Sequence, residues 1–225
     1  MLQILRPPRR KNARRPLRVK ERPMAMFGAK VDVKTYLDRV HQEIDRMDHA
    51  EIEALADAIY ARYLSRRFVY IIGNGGSGAN ASHFCEDLGK STVLDFEKQQ
   101  RLKVLSLTDN TPYILAWGND TSYDRIFSEQ LKNFGEPGDL LIAISGSGNS
   151  PNIIRAVEWS KEHGIETFGI TGFTGGKLRQ IADKCLHCPL DDMGMVESLH
   201  LIAFHYVLDD VHGRINGFKN KPVKA

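Results

Sequence analysis

Only three cysteines, Cys85, Cys185 and Cys188, occur in 225 residues. A number that is small and odd excludes a disulfide framework and suits a reducing compartment, so the expected location is cytoplasmic. No stretch approaches the roughly 18 uninterrupted apolar residues that a membrane-spanning helix needs. No G-K-[S/T] follows the serine- and glycine-rich stretch at residues 145–150, which excludes a nucleotide-hydrolysing P-loop there. Cys185-Leu-His-Cys188 is a lone C-x-x-C in what reads as a short strand, not at a helix N-terminus, so it is no redox pair. Internal repeats with periods of about 20–50 residues are also missing.

A large net charge is absent too, although the near balance hides two unlike parts. The total is +3. Residues 1–30 hold ten basic residues against the single acid Glu21, a net +9, which leaves −6 on the other 195. A mildly acidic body does not suit nucleic acid. The basic head lacks the apolar core of a secretory signal. It is expected to be a disordered extension, or the result of a start assigned ahead of Met24 and Met26, and no function is attached to it. Residues 31–225 are expected to form one domain.

What the chain does have is a strand–turn–helix unit at residues 68–91. Phe68–Ile72 is a short apolar run of the kind buried on both faces of a sheet. Gly73-Asn-Gly-Gly-Ser-Gly78 follows, nearly free of Cβ atoms, and from Ala79 the pattern turns helical, with Phe84 and Leu88 four apart. Such a turn presents unpaired N–H groups and the positive end of a helix dipole, which suits an anion. The match to G-x-G-x-x-G is weak evidence for a dinucleotide, because no acidic residue ends the next strand at the required distance; Asp109 comes too late. No nucleotide cofactor is expected.

A second unit of the same kind follows. Leu140–Ile144 is a continuous apolar strand, and Ser145-Gly-Ser-Gly-Asn-Ser150-Pro151 leads into a helix from Asn152. Hydroxyls and backbone amides without a cation suit the phosphate of a small metabolite. Amphipathic helices are expected at Val31–Arg46, Ala50–Arg66 and Tyr123–Phe134, and another helix starting at Asp109-Asn-Thr-Pro112 and ending at Gly118-Asn-Asp120. Further strands are expected at Leu102–Thr108, Thr167–Thr171 and Lys184–Pro189, with helices at Lys177–Ala182 and Val196–Arg214. Strands alternating with helices predict an α/β three-layer sandwich with a central parallel sheet and two extra N-terminal helices, which could form a subunit interface.

Gly73-Asn-Gly-Gly-Ser77 with His83, Gly118-Asn-Asp120 and Ile144-Ser-Gly-Ser-Gly-Asn-Ser150 resemble the sugar isomerase (SIS) domain. More narrowly they resemble the phosphoheptose isomerases, which convert sedoheptulose 7-phosphate to glycero-manno-heptose 7-phosphate. The likeness covers about residues 35–215. It implies a flavodoxin-like fold and a homotetramer with active sites between subunits. It also implies that Asn74, Gly75, Gly76 and Ser77 touch substrate, that Asn119 and Asp120 touch the sugar, and that Ser145, Gly146, Ser147 and Ser150 hold the phosphate.

Ketose–aldose isomerisation moves a proton between C1 and C2 and needs a base, an acid and stabilisation of an oxyanion. His83 and Asp87 are i,i+4 and share a helix face. Glu197 and His205, eight apart, lie about 80° from one another around the last helix, so both can face one side. Taken as residues, these four read as a zinc set, as an acid–base pair, or as solvated helix faces with a core histidine. His200, about 140° from His205, reads as structural. The resemblance implies that all four surround zinc, with Asp87 as base and His205 as acid, and that Glu197 also meets substrate. The chain departs from the family with Asp87 in place of Glu, Glu197 in place of Gln, and Gly194 near a position where the family has Asp. A second reading is a non-catalytic SIS module that binds a sugar phosphate or a protein partner such as the replication initiator. Ionisable groups at Asp87 and His205 favour the enzyme.

Overall fold

The computed structural model describes residues 26–219. The basic head up to residue 25 lies outside them. A short 3-10 turn, Phe27–Ala29, leads into α1 (Val33–Asp45) and α2 (His49–Ser65). Then follow β1 (Phe68–Gly73), α3 (Gly75–Lys90), β2 (Lys103–Ser106), α4 (Thr111–Asp120), α5 (Ser128–Phe134) and β3 (Leu140–Ser145). The chain continues with α6 (Pro151–Glu162), β4 (Glu166–Gly172), α7 (Gly176–Ile181), β5 (Lys184–Cys188) and α8 (Met193–Ile215). The strands form one parallel sheet in the order β2-β1-β3-β4-β5.

Alternation along the strands builds the three layers. Val69 and Ile71 of β1, with Leu140, Ile142 and Ile144 of β3, face a core made with α2, α3 and α8. Tyr70, Ile72, Leu141 and Ala143 point the other way, against α5, α6 and α7. Successive side chains of a strand leave opposite faces, so an all-apolar strand needs a helical layer on each side. Each fully buried Ile or Leu contributes about 1.5–3 kcal/mol relative to exposure. The helical pair α1 and α2 is present as expected. Phe27, Tyr36, Val40 and Ile44 pack it onto a third cluster with Leu190, Met195 and Leu199. Among the described residues no helix is long and apolar enough to cross a membrane.

One expectation needs correction. Tyr123–Phe134 is not one helix: a 3-10 turn at Tyr123–Arg125 precedes α5, and Ile126 and Phe127 between them are 2 % and 1 % exposed. Buried Gln130 donates to the carbonyls of Ile126 and Leu107, fixing the break, and the turn frees the Tyr123 hydroxyl to reach Asn74. α4 ends at Asp120 and caps at Thr121, within the expected Gly118-Asn-Asp120 stop. The C-x-x-C residues lie three apart on β5, so their side chains leave opposite faces of the strand. Burial raises both thiols, that of Cys188 to about 12, which disfavours the thiolate that redox exchange needs.

His200 takes the structural role expected of it. It is fully buried, its Nε2 donates to the Thr171 carbonyl at 3.1 Å, and burial pushes its pKa down to about 4. The folded protein therefore holds the neutral ring while the unfolded chain protonates near the ordinary 6.5. Its contribution is complete above 6.5 and is lost as pH falls towards 4. His187, lowered by burial and by Arg179, acts in the same direction. Denaturant titrations across this window are expected to show up to about 3 kcal/mol of stability lost on acidification, and His200→Gln is expected to flatten that slope. An unchanged slope in the variant would remove His200 as its source.

Candidate active site

β1 and β3 are neighbours, with Gly73 in register with Ile144. The glycine turn and the serine loop therefore leave the sheet side by side at its carboxyl edge. The chain crosses from β1 to β2 on one side and returns to β3 on the other, which makes this edge the topological switch point where open α/β sheets bind ligands. α3 begins at Gly75 and α6 at Pro151, so both helix N-termini face the same crevice.

The serine loop is shaped by its backbone. Gly148 has φ +65°, and a Cβ there would lie 1.9 Å from the Gly175 carbonyl oxygen. The Gly148 amide donates to the Ser145 carbonyl at 2.9 Å, and the Gly146 carbonyl accepts from Gly172 at 2.9 Å. Asn149 clamps the far side: its amide donates to the Ser147 carbonyl and its oxygen accepts from the Lys177 amide. Ser145 and Ser150 hydroxyls stand 3.3 Å apart, and Ser150 spends no hydroxyl bond on capping α6. Hydroxyls not committed to the helix end are available to an anion.

The two loops are joined by a reciprocal amide pair. Asn74 donates to Asn152 at 2.9 Å, and Asn152 donates back to Asn74 at 2.8 Å. Asn152 is 1 % exposed. The Tyr123 hydroxyl adds a third bond to the Asn74 oxygen at 3.0 Å. The Asn74 side chain, expected to meet substrate, thus braces the crevice. Asn152 and Tyr123 were not legible as site residues, although an Asn in the first turn of the helix after a serine loop is a usable signal.

The acid–base groups come from two helices that meet by core packing. Phe84 of α3 and Phe204 of α8, each 1 % exposed, stack with centroids 4.4 Å apart. Their chain neighbours, His83 and His205, are thereby brought together, ring centroids 5.4 Å apart. Asp87 Oδ2 lies 3.4 Å from His83 Nε2 and 3.9 Å from His205 Nε2. One donor atom from each of the three lies within 4.8 Å of the others. Two imidazole nitrogens and one carboxylate oxygen fit a divalent cation with a coordination position left open. Asp87 is mostly covered, its side chain 18 % exposed, while the histidines are about half exposed.

Glu197 stands apart from this triad. Eight residues separate it from His205, about 12 Å along the helix, so a shared face does not bring the two together. Its carboxylate lies over the glycine turn, where a Cβ on Gly76 would be 2.3 Å from Oε1, and burial raises its pKa. Ser77 is buried in the first turn of α3 and Ser145 at the end of β3. Asn119 and Asp120 are exposed at the end of α4 and bond to each other at 2.8 Å. Beside the glycine turn, towards β2, opens a cleft of about 320 Å³ walled by Gly73–Gly75, Ser82, Thr108 and Tyr123.

Residues 34–172 match the SIS domain. The chain is 37% identical over 174 residues to the phosphoheptose isomerase of Aneurinibacillus thermoaerophilus, covering 77% of this chain and 85% of that protein. It is 32% identical over 194 residues to that of Synechocystis, covering 86% and 98%. The solved phosphoheptose isomerase of Neisseria gonorrhoeae superposes with a TM-score of 0.72 at 28% identity, covering 82% of this chain and 95% of that one.

Asn152→Ala deletes half of the amide pair and leaves Asn74 short of a partner in a partly buried place. Thermal or denaturant unfolding is expected to show a loss of about 1–3 kcal/mol. Calorimetry with inorganic phosphate is expected to show weaker binding, because the two loops lose their common register. Unchanged stability and phosphate affinity would mean that the pair braces nothing.

Proposed function

The chain belongs to the SIS domain family, among the phosphoheptose isomerases, and on that premise we propose that it interconverts a seven-carbon ketose 7-phosphate and its aldose. The observation that carries this reading is a His–Asp–His triad from α3 and α8 on the same sheet as two neutral anion loops. The serine loop, through Ser145, Gly146, Ser147 and Ser150, takes the phosphate. The glycine turn, Gly75 to Ser77, takes the reacting end, with Asn119, Asp120 and Glu197 as further sugar contacts.

His83, Asp87 and His205 fit zinc, which supplies electrophilic stabilisation of the enediolate oxygens when bound. Asp87 takes the proton from C1 and returns it to C2 on the same face. His205 carries the accompanying proton between O2 and O1, so that the chain ends each turnover in its starting protonation state. The shorter reach of Asp compared with Glu places its carboxylate close to the α3 backbone, and substrate must come correspondingly near that helix. Glu197, desolvated over Gly76, would place a negative charge beside the enediolate when ionised and favours the reaction when protonated.

A homotetramer with sites between subunits is part of the same proposal. Its support is apolar surface that one copy leaves open: Val33 and Leu37 on α1, and Ile202 and Tyr206 flanking His205 on α8. The convergence of Asp87 with both histidines favours an enzyme over a non-catalytic sugar-phosphate module.

A coupled assay with sedoheptulose 7-phosphate and added zinc is expected to yield the aldose heptose phosphate. Asp87→Asn and His205→Gln are each expected to lower kcat by at least about 100-fold with phosphate affinity retained. Elemental analysis is expected to find a divalent metal that His83→Ala loses. No aldose product from the metal-loaded wild type would remove the heptose assignment.

A further inference from the structure

The cleft beside the glycine turn ends in a group of hydroxyls that the isomerase chemistry does not use. Ser82 of α3 and Thr108, just beyond β2, both line it. Their oxygens are 3.1 Å apart. Both bond to the same carboxylate oxygen of Asp109, Thr108 at 3.1 Å and Ser82 more closely. Ser106, buried beneath, bonds to the Thr108 hydroxyl in turn. Asp109 makes no ion pair among the described residues.

The direction of these bonds decides what the cleft can recognise. A carboxylate only accepts, and a hydroxyl has one proton and two acceptor lone pairs. Thr108 therefore gives its proton to Asp109, Ser82 gives its proton to Asp109 or to the Gly78 carbonyl 3.2 Å away, and Ser106 gives its proton to Thr108. The lone pairs left facing the cleft ask for a donor. An anion there meets oxygen lone pairs backed by the Asp109 charge, the reverse of the serine loop. The remaining lining suits a carbon chain, with Ile114, Ile126 and Phe127 offering apolar surface. At about 320 Å³ the cleft is at the small end of ligand pockets, and it shares Gly73, Asn74 and Gly75 with the glycine turn.

We propose that Ser82 and Thr108, oriented by Asp109, form a specificity subsite that accepts hydroxyl donors of the sugar chain and rejects a second anionic group. The proposal rests on the isomerase reading, since the chain it reads is that of the ketose phosphate. It gives this protein a means of measuring substrate length: a long polyhydroxylated chain reaches the hydroxyl pair, and a short one leaves it hydrated.

The experiment is calorimetric titration of the full chain with a seven-carbon ketose phosphate, a five-carbon ketose phosphate, a ketose bisphosphate and inorganic phosphate. The double variant Ser82→Ala/Thr108→Val is expected to bind the seven-carbon ligand about tenfold more weakly, through two lost neutral hydrogen bonds. Its affinity for the five-carbon ligand and for inorganic phosphate is expected to stay within about twofold. Asp109→Asn, an exposed change, lets an amide donate into the group and is expected to narrow the preference for monophosphate over bisphosphate. Equal weakening of all four ligands, or no weakening of the seven-carbon one, overturns the subsite. Wild-type protein that binds inorganic phosphate but no ketose phosphate overturns the isomerase reading itself, and the subsite with it.

Discussion

Two planar amides facing each other, Asn74 and Asn152, hold the crevice together. An amide donates and accepts in one plane, so each partner satisfies the other, and the second lone pair of each oxygen accepts once more, from Tyr123 at Asn74 and from the Ile153 amide at Asn152. An aspartate at either place would set acceptor against acceptor. The pair sits where the sheet order reverses, and there it fixes two helix N-termini relative to one another. Backbone amides and uncommitted serine hydroxyls can then grip a phosphate without a cation, because the donors are already in place when the anion arrives.

The reacting end depends on a different kind of contact. Asn80 of α3 donates to the Glu197 carbonyl of α8 at 3.0 Å, and inside the core the stacked rings of Phe84 and Phe204 join the two helices, with His83 and His205 carried along as their neighbours. A site built on packed helices is held more rigidly than one on loops. The cleft on the other side of the glycine turn repeats the logic with opposite polarity. There a carboxylate draws in the hydroxyl protons, whereas the Ser145 and Ser150 hydroxyls of the serine loop bond only to each other. Donors gather at one end of the crevice and acceptors at the other, which suits a substrate with a phosphate at one terminus and hydroxyls along its chain.

Much of this was legible in the sequence, since local chemistry leaves local marks. Apolar runs of strand length, glycine and serine turns and helix periodicity placed every strand in the order observed, and the N-terminal helix pair with them. A misreading arose where a distant partner overrode the local signal. Tyr123–Phe134 has helical spacing, but Gln130 and the reach of Tyr123 to Asn74 break it. Asn74 is expected from its motif to touch substrate, and only its partner across 78 residues shows that its side chain also braces the crevice.

The sequence alone determined the layers, the parallel sheet and the two anion loops, because each follows from periodicity and turn chemistry within a few residues. Tertiary structure alone decided which side chains meet. His83 and Asp87 are neighbours by helix geometry, but His205 joins them only because α8 returns across α3. Glu197, on the same helix and nearly the same face, is held about two turns away over Gly76. Angular position around a helix can be counted from sequence; position along the axis relative to another element is set by how the cores interlock.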